Sequence, residues 1–333
     1  MSDERPVSWA FVGASNFART TMVDAVREAG GEVRSIVSSS GERARLFAHD
    51  FGIASWGHDL DAALADPQVD AVYVSTTNDL HAAVTLAAAR AGKHALCEKP
   101  LATTLADAHA MKAACDAAGV VLATNHHLRN AVAHRTTRRL IEEGVVGDVV
   151  AARSFHAIAL PEHLQTWRVS SSAGGGVVLD ITVHDTDVLR FLLGRDVVEV
   201  VAMTPTRGAA VEYAVMGVLR FEGDVLASFH DAFDVPHAGT GLEIHGTLGS
   251  IVMHEVMTPS PVGEVLLRRG NETSPVDTGP HESLYVRSLR AFHGAVRGEG
   301  KPAVTADDGI KSLAVALAVL ESARTGRAVR VAA

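Results

Sequence analysis

The first 125 residues alternate short apolar runs with longer alanine-rich stretches. Residues 7–12, 32–38, 70–75, 94–98 and 120–124 read as strands. Between them, 18–29, 42–51, 60–65, 82–91 and 105–118 read as helices, several closed by a glycine or proline such as Gly30, Pro67 and Gly92. Strands with no polar side must be covered on both faces. The alternation therefore predicts a doubly wound parallel sheet, helices on either side, joined by right-handed crossovers.

The pattern changes across residues 125–130. Segments 149–159, 197–204, 214–221, 225–231, 242–245, 250–253 and 264–268 then follow as strands, several separated by tight turns. Strands in such succession predict an α+β domain built on a largely antiparallel open sheet. Helical patterns occur at 185–193, 284–297 and 307–325, and the last is expected to pack back onto the first domain. The expected division is 1–125 for one domain and 126–333 for the other. Nothing in the sequence chooses between a monomer and a homo-oligomer.

Composition narrows the class. Hydrophobic residues make up 47% of the chain, enough for a packed core in each domain. A net charge of −9 argues against a nucleic-acid backbone or an anionic membrane as the main partner. Cys97 and Cys115 are the only cysteines, too few for a disulfide framework. The charged N-terminus lacks the apolar core of a signal peptide, and no stretch is long enough to span a bilayer. A reducing cytoplasm is the expected location.

Candidate chemistry begins at Gly13-Ala14-Ser15-Asn16-Phe17-Ala18, between the first strand and the first helix. The segment fits G-x-G-x-x-[GA] with Ser15 in the second glycine position. A glycine there makes the tight turn, and the helix N-terminus offers free N–H groups and a positive dipole to a pyrophosphate. An ordinary strand-to-helix turn would look similar, but the position at the first βα turn favours a dinucleotide. NAD binders usually carry an acid at the end of the second strand to hold the ribose 2′-OH. Here that place reads Ser38-Ser39-Ser40, with Arg43 nearby. Hydroxyls and a guanidinium suit a 2′-phosphate, so NADPH is the expected cofactor, although the serines could also cap the next helix.

Ligands of open α/β sheets lie outside the carboxyl ends of the strands. Ser75-Thr76-Thr77-Asn78-Asp79-Leu80-His81 and Glu98-Lys99-Pro100 leave two such ends. Lys99 could polarise a carbonyl, and a cis peptide before Pro100 could aim it. Asn78 and His81 could touch cofactor or merely cap a helix. In the second half, Gly174-Gly175-Gly176 precedes Asp180, His184 and Asp185. Asp180 and His184 would share one helical face, as a proton donor with a carboxylate beside it or as a solvated polar pair. No metal site is compelling: Asp180, His184 and Asp187 could be arranged as ligands, but a hydride mechanism needs none. His126 and His127 are adjacent and would diverge on a regular element.

The GASNFA turn, STTNDLH, CEKPLA and the GGGxxxDxxxHDxD run together resemble the glucose–fructose oxidoreductase/inositol dehydrogenase (Gfo/Idh/MocA) family over nearly the whole chain. The resemblance implies a Rossmann domain, a sugar-like substrate, and a hydride exchanged with a nicotinamide cofactor. It implies that Lys99 polarises the substrate, that His184 gives a proton to the developing alkoxide, and that Asp180 fixes the substrate. Gly13, Ala14, Ser15, Asn16, Phe17, Ser38, Ser39 and Arg43 would then hold the phosphates and adenosine of the cofactor. Thr76, Thr77, Asn78, His81, Glu98, Lys99, Asn125, Trp167, Arg168 and Tyr285 would line the rest. Phe17 departs from the family, which commonly has a β-branched aliphatic residue there. The sequence also accommodates a dehydrogenase of another sugar or of inositol. A non-catalytic nucleotide-binding sensor on the same fold is a third reading, though such a protein would often have lost the Lys99 or His184 role.

Overall fold

The computed structural model describes residues 5–205, 210–260 and 263–332. The chain forms two compact units, residues up to Asn125 with Tyr285–Ile310, and His126–Leu284 with the residues from Lys311 on.

The first unit carries strands β1 (Ser8–Val12), β2 (Glu32–Val37), β3 (Ser55–Gly57), β4 (Ala71–Val74), β5 (His94–Cys97) and β6 (Leu122–Thr124). They lie in the order β3-β2-β1-β4-β5-β6, every neighbouring pair parallel. The order reverses direction between β1 and β4, so the crevice at their carboxyl ends is the switch point where such sheets bind ligands. Helices α1 (Val23–Glu28), α2 (Gly41–Phe51), α3 (Leu60–Leu64), α4 (His81–Arg90) and α5 (Leu105–Ala118) connect the strands. Every residue of β1 and β4 is buried, as the apolar runs require. The sequence reading lacked β3, whose three residues at the sheet edge are too few to make a hydrophobic run.

The second unit holds α6 (Val132–Glu142), α7 (Trp167–Ser170), α8 (Val183–Leu193) and a nine-stranded sheet. Its strands are β7 (Val149–Ala159), β8 (Val197–Met203), β9 (Ala214–Phe221), β10 (Leu226–Ala232), β11 (Asp234–Gly246), β12 (Ser250–His254), β13 (Glu264–Arg269), β14 (Glu272–Pro275) and β15 (Val329–Arg330). All pairs are antiparallel except β7 with β10. Along β9, buried and exposed residues alternate, so one face is covered while Met216 and Val218 point to the other. Short β14 and β15 were absent from the sequence reading, as was α6. The buried side of α6 includes His134 and Thr137, so hydrophobic periodicity could not show it.

Two late helices follow, α9 (Leu284–Val296) and α10 (Ala306–Thr325). In the first unit His293 of α9 accepts the indole N–H of Trp9 at 3.1 Å and faces the Ala29 carbonyl at 3.2 Å. Burial lowers the His293 pKa to about 4, so a neutral ring donates to Ala29 through Nδ1 and accepts at Nε2. No helix among the described residues is long and apolar enough to cross a membrane.

The second unit is pinned by a buried pair. Arg129 donates twice to Asp187, at 2.6 and 2.7 Å, and the Ser312 hydroxyl adds a third bond at 3.1 Å. Removing one partner of such a pair leaves a buried charge uncompensated, at a cost of about 3–5 kcal/mol. An Arg129→Met variant should therefore lose about that much unfolding free energy in a urea titration, and a loss under about 1 kcal/mol would show that the pair is dispensable.

Candidate active site

In the first unit the turn after β1 is shaped by what Gly13 lacks. Its φ is +107°, and a Cβ there would collide with the Ser75 carbonyl at the end of β4. Ser15 then turns its hydroxyl inward, 2.9 Å from the Ser75 hydroxyl and accepting the Ala18 N–H at 3.0 Å. Ser75 in turn donates to the Gly13 carbonyl at 3.1 Å. The helix begins as a π-helical turn, Ala18–Met22, before α1. Ala14 is half-buried and Asn16 exposed at the rim of this turn. A backbone turn without side-chain bulk at a helix start fits a pyrophosphate. Phe17 packs edge-on against Tyr285, ring centroids 5.3 Å apart, which accounts for an aromatic residue at this position.

At the end of β2, Ser40 caps α2 by accepting the Arg43 N–H at 3.3 Å. Arg43 reaches back through its guanidinium to the Ser39 hydroxyl, 2.9 Å away, and is exposed. Ser38 is buried. The structure therefore brings Ser39 and Arg43 together at a strand end without a carboxylate.

Beyond β4, Thr77 precedes a 3₁₀ turn, Asn78–Leu80, in which Asn78 is buried. His81 is fully buried, and its Nδ1 is hydrogen-bonded to the Pro100 carbonyl at 2.9 Å. Burial lowers its pKa to about 4, so the ring is neutral and ties two strand ends together. Lys99 is half-buried, and the Lys99–Pro100 peptide is cis. Beside it, one oxygen of Glu98 accepts the Tyr73 hydroxyl and the Asn125 amide, each at 2.6 Å. Burial pushes the Glu98 carboxyl up, against the pull of those bonds and of the Lys99 charge. Tyr285 faces the same carboxyl, and its hydroxyl is raised by burial and by Glu98. Tyr73 was missed from the sequence. A tyrosine inside an apolar strand signals a buried hydroxyl in search of a partner, and Glu98 is that partner.

In the second unit, Gly174 and Gly176 have positive φ, and Gly175 lies against the carbonyls of Trp167, Arg168 and Ser171. A Cβ on Gly176 would run into the Glu212 carboxylate, which accepts the Val178 N–H. A second π-helical turn, Val178–Thr182, leads into α8. Asp180 sits in that turn and His184 in the first turn of α8. Arg168 lies 3.4 Å from Asp180 and over the Trp167 ring, 4.8 Å from its centroid. Trp167 and Arg168, expected among the cofactor contacts, thus cluster with Asp180.

His126 and His127 do not diverge as the sequence suggested. Both rings meet His184, at centroid distances of 5.7 and 4.9 Å. The backbone is irregular there, passing into a 3₁₀ turn at His127, so the alternation of a strand does not apply. Asp187, weighed as a metal ligand, is held by Arg129.

Comparison with known proteins agrees with this architecture. Residues 7–126 match the oxidoreductase family with NAD-binding Rossmann fold, and residues 134–252 match the GFO/IDH/MocA C-terminal domain. A 1,5-anhydro-D-fructose reductase of Ensifer adhaerens is 52% identical, the match covering 97% of this chain and 98% of that one. A solved aldose-aldose oxidoreductase of Caulobacter crescentus, complexed with glycerol, superposes with a TM-score of 0.91 at 27% identity over 98% of this chain and 100% of that one. Levoglucosan dehydrogenase in complex with NADH and L-sorbose gives a TM-score of 0.88 at 25% identity over 99% and 100%. The chain belongs to the GFO/IDH/MocA family of oxidoreductases, and its first unit is an NAD(P)-binding Rossmann fold.

Gly13→Ala tests the cradle, since it adds a Cβ against the Ser75 carbonyl. Nucleotide affinity measured by calorimetry should fall by about tenfold or more, equivalent to about 1.4 kcal/mol. Unchanged binding would mean that the turn does not carry the nucleotide.

Proposed function

We propose that the protein reduces the C2 ketone of 1,5-anhydro-D-fructose to 1,5-anhydro-D-mannitol with NADPH. The observation that carries this reading is the near full-length similarity to the Ensifer adhaerens reductase. The local chemistry supports it. Ser39 and Arg43 offer a hydroxyl and a guanidinium, with no acid at the β2 end, which suits a 2′-phosphate.

The chain's own groups account for the chemistry of the carbonyl oxygen. The ammonium of Lys99 hydrogen-bonds that oxygen and stabilises charge building on it. His184 delivers a proton to it, so that the alkoxide leaves as an alcohol. Asp180, oriented by Arg168, accepts hydrogen bonds from substrate hydroxyls. Gly13, Ala14, Ser15, Asn16 and the start of the first helix hold the cofactor phosphates. Thr76, Thr77, Asn78 and Glu98 serve its nicotinamide end, while Phe17 and Tyr285 form an aromatic wall. The bound nicotinamide supplies the hydride.

Following NADPH absorbance with 1,5-anhydro-D-fructose, beside NADH and a panel of sugars and inositols, tests the reading. Rapid oxidation with that ketone is expected. Lys99→Ala and His184→Ala should each lower kcat by about 10²–10⁴. Turnover of another polyol in place of the ketone would overturn the substrate, and silence across the panel would overturn the enzyme reading.

Coenzyme choice has its own test. Arg43→Ala should weaken NADPH binding by about 10–100-fold, on the scale of a charge-assisted hydrogen bond, and leave NADH binding unchanged. Equal efficiency with both coenzymes in the parent protein would overturn the preference.

A further inference from the structure

Behind His184, α8 packs a second acid against the sheet. Asp185 is completely buried, and so is Asp231 on β10. The two carboxyls lie close enough to repel each other. The hydroxyls of Ser154 on β7 and of Thr182, the last residue of the π turn, are buried beside the pair without a hydrogen-bond partner. His156, paired in register with Asp231 across the parallel β7–β10 ladder, faces Asp185 at 3.3 Å. His156 is the titratable side chain that the sheet presents to the pair, and it acts on Asp231 as well.

Two ionised carboxylates in contact can only accept, and both are removed from water. Asp185 Oδ2 and both oxygens of Asp231 lack a well-aligned donor. Like charges at this range, without solvent, are strongly unfavourable unless one group holds a proton. A single proton supplies the missing donor, because the acid O–H of one carboxyl can bond the other. We propose that Asp185 and Asp231 share one proton, and that this proton fixes the turn carrying Asp180 and His184. Asp231 is thereby a positioning residue: through Asp185 it holds the first turn of α8, directly beside His184. Its effect on turnover rests on the proposed function, whereas the proton itself does not.

Burial pushes the Asp185 carboxyl up to about 7, and Asp231 is likewise raised, by burial and by Asp185. A carboxyl raised in the folded state gives stability that is full at acid pH and is lost as pH climbs through the raised value. The fold of the second unit should therefore weaken as pH rises through about 7 and beyond.

The experiment compares the full-length protein with Asp231→Asn and Asp231→Leu. Infrared difference spectra of the parent at neutral pH should show the carbonyl stretch of a protonated, buried carboxylic acid, and Asp231→Asn should lose it. The parent's melting temperature should fall on the alkaline side, while Asp231→Asn, a permanent mimic of the protonated acid, should flatten that slope. With 1,5-anhydro-D-fructose, Asp231→Leu should lose about 10²-fold in kcat, on the scale of a misplaced catalytic group, with nucleotide affinity intact. Asp231→Asn should recover most of that loss and shift the alkaline limb of the kcat profile upward. No protonated acid at neutral pH, or identical melting slopes in the parent and Asp231→Asn, would overturn the shared proton. Because those two measurements need no substrate and no Leu variant, they decide the matter even if the ketone is not turned over.

Discussion

The turn after β1 can press against the end of β4 because Gly13 has no side chain to keep the Ser75 carbonyl away. From that close approach a series of bonds runs across the carboxyl ends of the sheet. Ser15 and Ser75 join hydroxyls, the chain runs on from Ser75 to His81 at the start of α4, and the buried ring of His81 bonds the Pro100 carbonyl. Pro100 is the neighbour of Lys99. Three segments distant in sequence, the turn at Gly13, residues 75–81 and Lys99-Pro100, are thus held in one frame by neutral donors and acceptors. Because His81 is kept uncharged by burial, its bond to Pro100 adds no charge at that strand end.

The second unit uses the opposite economy, charge buried against charge. Glu212, Asp180, Asp185, Asp187 and Asp231 all crowd the start of α8 and its surroundings. Glu212 accepts a backbone N–H, Asp180 faces a guanidinium stacked on an indole, Asp187 is held by a buried arginine, and Asp185 and Asp231 lie against each other. Such an arrangement is costly unless every member is satisfied, and it tolerates few alternative packings. It gives His184 a rigid bed of polar contacts and the flanking rings of His126 and His127.

Much of this was legible in the sequence. The apolar runs of the first half define the parallel sheet, and the glycine turn, the Glu-Lys-Pro segment and the Asp-x-x-x-His spacing fall at the end of β1, at the end of β5 and at the start of α8. What escaped has a common cause. Helix α6 buries histidine and threonine, so no hydrophobic stripe announces it. Tyr73, Glu212 and Asp231 matter through partners far along the chain, and such pairs leave no local trace. Trp167 and Arg168 stand beside Asp180 because the three glycines fold the chain back on itself, a path that spacing alone cannot reveal.

Both helices that open the two sites begin with a π-helical turn. Such a turn holds one residue more than an α-helical turn would, a surplus often found at functional positions. One consequence concerns chain length rather than side-chain chemistry. A π turn takes in its extra residue with little change of direction, since five residues at about 4.4 per turn sweep nearly the same angle as four at about 3.6. Removing Ile181 or Thr182 would therefore let the segment close into regular helix with the helix axis nearly unturned, and would change the spacing of Asp180 and His184 from i,i+4 to i,i+3, still on one face. The surplus residue is thus one that the chain can gain or lose in a single step without rebuilding the fold around it.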